Sequence, residues 1–323
     1  MAYQKTFLIY NPFAGALRNQ RRERILQRSI AVLHEKGIGV EALSTHGPGT
    51  ASEIARQCVD KGADLVLVAG GDGTINEVVN GMAGSGVPLA ILPAGTANVL
   101  AMEMAIGRRM ARIAGKLPTY IPERIALARL RNDLAPDGRY FLLMAGVGLD
   151  ADIVYKLSAS LKATLGKVAY WVSGFSQLGR RFPEFTVEVD GRRHRASLAL
   201  ASRVRNYGGD LEIAPTISLL EDELELVLFS GESSFRYLKY VVGVLARKLD
   251  GMQGVKILRA REVSCTAPED QRIYVQMDGE FAGHLPATID IVPNALTLLV
   301  PPEFRTRRPV RADSSTWTTS PTR

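Results

Sequence analysis

Near the N-terminus, short apolar runs alternate with longer stretches in which apolar residues recur at helical spacing. Thr6-Phe7-Leu8-Ile9-Tyr10 is a buried-type strand stopped by Asn11-Pro12. From Arg21 to His34 the residues Ile25, Ile30, Val32 and Leu33 sit among charges, as on an amphipathic helix. Val40 to Ser44 reads as a second strand and Ala51 to Lys61 as a second helix. Asp64 to Ala69 is apolar throughout after its first residue, the pattern of a strand covered on both faces. A helix from Ile75 to Met82 and a strand from Pro88 to Leu92 follow. This β-α-β-α order predicts a parallel sheet with helices on both faces.

After about residue 120 the pattern changes. Ile125 to Arg131, Tyr140 to Ala145, Thr186 to Val189, Ser197 to Ala201, Leu224 to Phe229, Val255 to Ala260, Ile273 to Met277 and Leu296 to Val300 read as strands. Turn signals such as Asp137-Gly138 and Asp190-Gly191 separate them, so a mostly antiparallel β domain is expected. Helical patterns at Leu161–Gly179 and Ser233–Leu249 interrupt it. Both mix apolar and basic residues, which suits either a core-facing stripe or a membrane-facing one. Beyond Pro301-Pro302 the chain is rich in Arg, Ser, Thr and Pro, and disorder is expected. The expected division is an α/β domain over 1–122, a β domain over 123–302 and a tail over 303–323.

Composition narrows the function classes without choosing among them. The 323 residues are 46% hydrophobic and 23% charged, with a formal net charge of +7. That balance suits nucleotides, phosphorylated metabolites or an anionic membrane surface. Nucleic acid is not expected, because no recognition motif or interleaved basic–aromatic surface accompanies the charge. Two distant cysteines, Cys58 and Cys265, and four histidines without ligand spacing offer no disulfide framework or Cys/His metal site. No signal-peptide pattern opens the chain, and no apolar run approaches the roughly 20 residues that span a bilayer. A cytoplasmic protein, peripheral at the inner membrane surface, is the expectation; a homodimer is compatible with the sequence.

The chemistry concentrates in Gly70-Gly71-Asp72-Gly73-Thr74, which closes a buried strand and opens a helix. Glycines let the backbone approach a phosphate chain, and free N–H groups at a helix start attract anions. A carboxylate beside phosphate is repelled unless a metal bridges it, so Asp72 points to Mg²⁺ or to a proton-accepting role. No G-K-[ST] follows, so this is not a Walker loop. Gly146 to Ala151 imitates a G-x-G-x-x-A dinucleotide fingerprint, but it lies outside an early β-α-β unit and its downstream segment is helical and aromatic.

GGDGTINEVVNG, Gly70 to Gly81, resembles the nucleotide motif of the diacylglycerol kinase catalytic superfamily. NPFAG (Asn11 to Gly15), THGPGTA (Thr45 to Ala51) and PAGTANVLA (Pro93 to Ala101) resemble its other loops in the same order. AGVGLDA, LGKVAYWVSG, NYGGDLEIAP and MDGE extend the likeness to about Pro301. The resemblance implies an α/β nucleotide domain, a β-sandwich domain and an interdomain cleft in which MgATP phosphorylates a lipid hydroxyl presented at a membrane. It implies nucleotide contacts from Asn11, Pro12, Phe13, Ala14, Gly15, Thr45, Gly70, Gly71, Asp72, Gly73, Thr74, Asn76, Glu77, Gly95, Thr96 and Asn98. Arg18, just after the first loop, is the best placed cation for the phosphates. By the same likeness Asp278 or Glu280 is the general base, with Asp72 organising nucleotide and Mg²⁺. Without it, Asp278-Gly279 reads as a plain hairpin turn.

One stretch departs from the family. Bacterial members carry an Asp-Asp-Gly turn supporting an accessory Mg²⁺, where this chain has Leu220-Glu221-Asp222-Glu223. Glu221 and Asp222, with Ser218 and Glu223, are candidate ligands there; solvated turn charges are the alternative. Two other functions fit parts of the pattern. A NAD kinase-like phosphotransferase shares GGDGT but not NPFAG or PAGTAN, and a non-catalytic nucleotide or lipid regulator would have no need of Asp72, Asp278 and Glu280 together.

Overall fold

The computed structural model describes residues 3–15, 20–148, 151, 182–207, 211–246 and 248–306. Its first part runs β1 (Thr6–Tyr10), α1 (Gln20–Glu35), β2 (Val40–Ser44), α2 (Thr50–Asp60), β3 (Leu65–Gly70), α3 (Asp72–Met82), β4 (Pro88–Pro93), α4 (Val99–Glu103) and α5 (Met110–Lys116). The four strands are parallel in the order β2-β1-β3-β4. Along β3, Val66 and Val68 face a core shared with α2 and α3, whereas Leu65, Leu67 and Ala69 face α1 and α5. Coverage on both sides explains the unbroken apolar run. Helices α2 and α3 cross at backbone contact: a Cβ on Gly81 would lie 2.1 Å from the Ser52 carbonyl oxygen. The last glycine of the GGDGTINEVVNG run therefore serves helix packing.

The second part comprises β5 (Ile121–Asn132), β6 (Ala135–Phe141), β7 (Met144–Gly148), β8 (Phe185–Val189), β9 (Arg192–Ala196), β10 (Leu198–Ser202), β11 (Asn206–Tyr207), β12 (Leu211–Glu212), β13 (Leu224–Phe229), β14 (Val255–Ala260), β15 (Glu262–Thr266), β16 (Tyr274–Met277), β17 (Glu280–His284) and β18 (Ala287–Val300). One sheet has the order β14-β13-β10-β7-β16-β17. The other continues the parallel sheet, because β18 lies parallel to β4 at Thr297 and Leu298 and antiparallel to β5 and β15. Phe185, Val187, Val263 and Ile289 of that sheet meet Ala145, Val147, Leu226, Leu228 and Val275 of the first across a shared core. The result is an α/β unit followed by an antiparallel sandwich, as the alternation of patterns predicts.

Several expectations change in detail. The boundary expected between 122 and 123 falls inside β5, and one sheet runs across it. Asp137-Gly138 is not a turn: it lies within β6, and the chain reverses at Asp133-Leu134, where Asn132 Oδ1 accepts the N–H groups of Leu134 and Ala135. Gly138 has φ +91°, and a Cβ there would meet Arg129 Cγ at 2.6 Å. Tyr140 to Ala145 spans two strands, and β9, β15 and β17 were not anticipated. The second helical pattern narrows to Ser234–Leu245; the one at 161–179 lies outside the described residues. The tail starts as a short helix, Pro302–Thr306, whose Phe304 is buried in the core. No helix among the described residues is long and apolar enough to cross a membrane.

Candidate active site

In the order β2-β1-β3-β4, the chain turns away in opposite directions from the adjacent strands β1 and β3, and ligands bind beyond the carboxyl ends of strands at such a point. The loops after β1, β3 and β4 meet there. Asn11 N–H donates to Ala69 O and Ala94 N–H to Gly70 O, so the loops leave one sheet edge together. Asn11 Oδ1 accepts the Phe13 N–H at 2.9 Å, and its Nδ2 donates to Thr74 Oγ1 at 3.0 Å, which ties the first loop to the second. Gly70 is required by Thr74, whose Cβ would lie 2.6 Å from a Cβ at residue 70. Gly71 and Gly95 touch backbone to backbone: a Cβ on Gly95 would fall 2.5 Å from Gly71 Cα. Asn98 clamps the third loop, accepting from Gly95 N–H and donating to Gly95 O, both at 2.8 Å. Gly15 faces Thr96, its Cβ position 3.4 Å from Oγ1.

Helix α3 begins at Asp72, three residues before the helical pattern is evident in the sequence, with extended Gly71 ahead of it and no side chain capping its first turn. The N–H groups of a first turn have no acceptor within the helix, so this start suits a phosphate. Asp72 itself is half-buried, and desolvation raises its carboxyl pKa against the lowering effect of hydrogen bonds from backbone N–H groups, those of Val99 and Leu100 foremost. Its oxygens accept the N–H groups of Val99 (3.1 Å) and Leu100 (3.4 Å), at the start of α4. Asp72 thus binds the second loop to the third and keeps lone pairs for a cation.

Other expected nucleotide residues are spread more widely. Thr45, buried at the end of β2, donates its N–H to Tyr10 O. Glu77 Oε2 accepts Ala51 N–H at the start of α2. Asn76 is buried, with its Oδ1 taken by Asn80 Nδ2. Ala14 is buried, Pro12 partly so, and Phe13 exposed. Arg18 lies outside the described residues, as does Asp150.

Across the cleft, Asp278 and Gly279 form a two-residue hairpin loop between β16 and β17, both at positive φ (48° and 82°), as primed turns require. The hairpin reading is correct, and the carboxylate is more than a turn device. Oδ1 accepts the N–H groups of Leu143 (3.1 Å) and Met144 (2.9 Å), and Oδ2 that of Leu142 (3.2 Å). Burial pushes the Asp278 carboxyl up to about 7; the three N–H groups oppose this and the nearby Asp72 carboxylate adds to it. Glu280 is more exposed. Its Oε2 pairs with Arg139 Nη2 at 2.9 Å, and its Oε1 lies against Gly73, 3.0 Å from where a Cβ would stand. The Asp-Gly-Glu segment of the second part thus faces the glycine loop of the first.

Sequence reasoning did not single out Asn80 or Arg139. Asn80 Nδ2 donates to Tyr140 O (2.8 Å) and its Oδ1 accepts Tyr140 N–H (2.9 Å), pinning β6 to α3 as a strand partner would. That contact places Arg139, one residue earlier, beside Glu280. The alternation of β6 was obscured by Asp137-Gly138, which hid Arg139; Asn80 lies on α3, and its partner Tyr140 is 60 positions away.

The candidate accessory metal residues do not gather with Asp72. No group of three or more His, Cys, Asp or Glu side chains placed to hold a metal occurs among the described residues. Instead Arg259 Nη1 lies 2.8 Å from Glu221 and 3.8 Å from Glu223, and Arg259 Nε lies 3.8 Å from buried Glu225. Donors turned onto a guanidinium do not fit an accessory Mg²⁺. At the nucleotide loops, the uncapped helix start and the half-buried carboxylate of Asp72 do fit a Mg²⁺-bound phosphate chain.

Comparison with known proteins agrees with this geometry. Residues 5–130 match the family described as Diacylglycerol kinase catalytic domain, and residues 144–300 match YegS C-terminal NAD kinase beta sandwich-like domain. A diacylglycerol kinase of Bacillus subtilis is 27% identical over 286 residues, covering 86% of this chain and 90% of its own length. One from Mycobacterium tuberculosis is 28% identical over 302 residues, covering 92% of this chain and 95% of its own. The fold is that of a crystal structure of a diacylglycerol kinase from Bacillus anthracis, with TM-score 0.75, 23% identity and coverage of 94% and 99%. With both halves matched in order, and the glycine loops and the Asp-Gly-Glu hairpin facing one another, the chain belongs to the diacylglycerol kinase catalytic superfamily, whose members are phosphotransferases with an alcohol group as acceptor.

Proposed function

We propose that this protein is an ATP-dependent lipid kinase that transfers the γ-phosphoryl group of MgATP to the hydroxyl of diacylglycerol or a sphingoid-type lipid. The observation that carries the reading is the approach of the Asp278–Glu280 hairpin to the Gly70–Thr74 loop across the cleft. The glycine loops and the start of α3 receive the phosphate chain, and Asn11, Asn98 and Asp72 hold those loops in register. Mg²⁺ supplies charge neutralisation of the phosphates when bound. Asp278 is the general base: a carboxyl with a pKa near the working pH combines adequate ionisation with adequate basicity. Glu280 and Arg139 face the phosphate side, at Gly73. The lipid oxygen bonds to the γ-phosphorus, the bond to the β,γ-bridging oxygen breaks, and the hydroxyl proton passes to Asp278; ADP and the phosphorylated lipid leave.

The names of the relatives and the net charge of +7 support a lipid acceptor reached at an anionic membrane surface. The test is to supply labelled MgATP with vesicles containing diacylglycerol, with sphingosine or ceramide, and with NAD. Label in a lipid fraction, lost when Mg²⁺ is chelated, is the expected result. Label in NADP alone would make it a NAD kinase-like enzyme; tight nucleotide binding without transfer would make it a regulator.

A further inference from the structure

Arg203 is a cation with no solvent contact, and its surroundings are an oxygen cage of backbone carbonyls. Nη1 donates to Glu221 O and to Glu223 O (2.7 Å), and Nη2 donates to Leu219 O (2.8 Å) and Ala126 O (3.1 Å). Burial lowers its pKa to about 10, which leaves it charged at neutral pH, helped by Asp222 and Glu221. Four carbonyls from β5 and from the turn before β13 thus converge on one positive charge. A buried charge is costly unless paired and hydrogen-bonded; the four carbonyls offset that cost at Nη1 and Nη2, while Nε is buried without a partner.

The same residue touches the proposed base through one peptide. Arg203 follows β10 directly, and its backbone N–H donates to Leu143 O at 2.8 Å. The N–H of Met144, in the same peptide unit as that Leu143 carbonyl, donates to Asp278 Oδ1 at 2.9 Å, beside the N–H of Leu143 to Oδ1 and that of Leu142 to Oδ2. Asp278 N–H returns to Met144 O at 2.9 Å. Around the cage, Arg259 covers the acidic side chains: besides its ion pairs with Glu221, Glu223 and Glu225 it donates to Thr216 O and Oγ1. Thr216 in turn donates its N–H and hydroxyl to Glu225 Oε2. A divalent cation would need these same carbonyl and carboxylate oxygens at close range.

We infer that Arg203 is the positioning residue for Asp278, and that with Arg259 it closes the 216–225 turn by guanidinium groups in place of a divalent cation. Held by the cage, the Arg203 backbone fixes the Leu143 peptide, and that peptide with its neighbours aims the Asp278 carboxylate into the cleft. The side-chain cage and the carboxylate never touch; the linkage runs from Arg203 through the Leu143–Met144 peptide to Asp278.

The kinetic part of this inference rests on the proposed lipid kinase reaction; the structural part does not, and the experiment separates them. Amide hydrogen exchange over residues 142–144 is compared in the full chain, in Arg203→Met and in Arg203→Lys. Exchange in Arg203→Met is expected to be faster by about tenfold or more there while β1–β4 stay protected. With lipid acceptor and MgATP, kcat is expected to fall about 10–100-fold, as for loss of a supporting group behind a reactive one, with KM for MgATP within about twofold. Lysine, which keeps the charge but reaches fewer carbonyls, should restore part of kcat. Should Arg203→Met not fold, Arg259→Gln, at a side chain that is itself 28% exposed, is expected to give the same changes at smaller size. Unchanged exchange at 142–144 and unchanged kcat in a folded Arg203→Met overturn the inference, as does a rise in melting temperature of the nucleotide-free parent with millimolar Mg²⁺ that Glu221→Gln removes. Faster exchange at 142–144 in a protein whose parent phosphorylates no lipid supports the positioning and overturns the proposed reaction.

Discussion

Replacing Asp278 by Asn should remove transfer and, above neutral pH, make the protein more stable. Burial holds the Asp278 carboxyl at about 7 in the fold, well above the ordinary 3.8 of an aspartate. The folded state therefore holds the proton more tightly than the unfolded chain. Stability is lost as pH rises from 3.8, and the loss is complete above about 7. That difference corresponds to about 4 kcal/mol. Asn stays neutral, keeps Oδ1 for the Leu143 and Met144 N–H groups, and tolerates φ +48° better than most residues. It turns an NH₂ toward the Leu142 N–H, which costs about 1–3 kcal/mol. The variant should thus be more stable than the parent by about 1–3 kcal/mol at pH 8, and about equal or less stable at pH 5. Melting followed by circular dichroism at the two pH values reads this as a difference of several degrees that grows with pH. Turnover should fall about 10²–10⁴-fold at both. A stability difference that does not change between pH 5 and pH 8 would refute the buried, proton-retaining Asp278.

In the parent, kcat/KM with Mg²⁺ saturating should rise about tenfold from pH 6 to pH 8 and level off above about 7, because only the ionised Asp278 accepts the proton; a flat profile contradicts the assignment. Gly95→Ala places a methyl 2.5 Å from Gly71 Cα, backbone against backbone, so calorimetric titration should show nucleotide binding weakened about tenfold or more while far-UV circular dichroism stays near that of the parent. Asn80→Ala leaves the Tyr140 N–H and carbonyl without their partner and should lower stability by about 1–3 kcal/mol in denaturant titrations. It should also lower kcat, since β6 carries Arg139 to Glu280.

The parallel half of the fold was readable because strands covered on both faces write their own boundaries: Thr6–Tyr10 matches its span to the residue. The glycine loops were readable for a similar reason, since the Thr74 side chain leaves no room for a Cβ at Gly70 and close backbone approach leaves none at Gly95. What escaped depends on partners distant in sequence. β18 reaches β4 across some two hundred residues, and no local pattern announces that pairing. Gly138, read as a turn, is a strand residue facing Arg129 and Arg131. Arg203 reads as one more basic residue among Arg205 and its neighbours; its burial follows only from where four carbonyls happen to point. Glu221 and Glu223 looked like candidate ligands because the pattern shows carboxylates and hides Arg259, which comes 38 positions after Glu221.

The central claim is that the two halves of the cleft act together on one lipid hydroxyl. Its most direct measurement is transfer of label from γ-labelled ATP to diacylglycerol in vesicles, by the parent and by Asp278→Asn, with binding of a non-hydrolysable nucleotide measured alongside. Labelled phosphatidate from the parent, lost in the variant while nucleotide affinity stays within about twofold, is the predicted result. Equal transfer by both proteins, or no label in any lipid from a parent that binds nucleotide, would contradict the account.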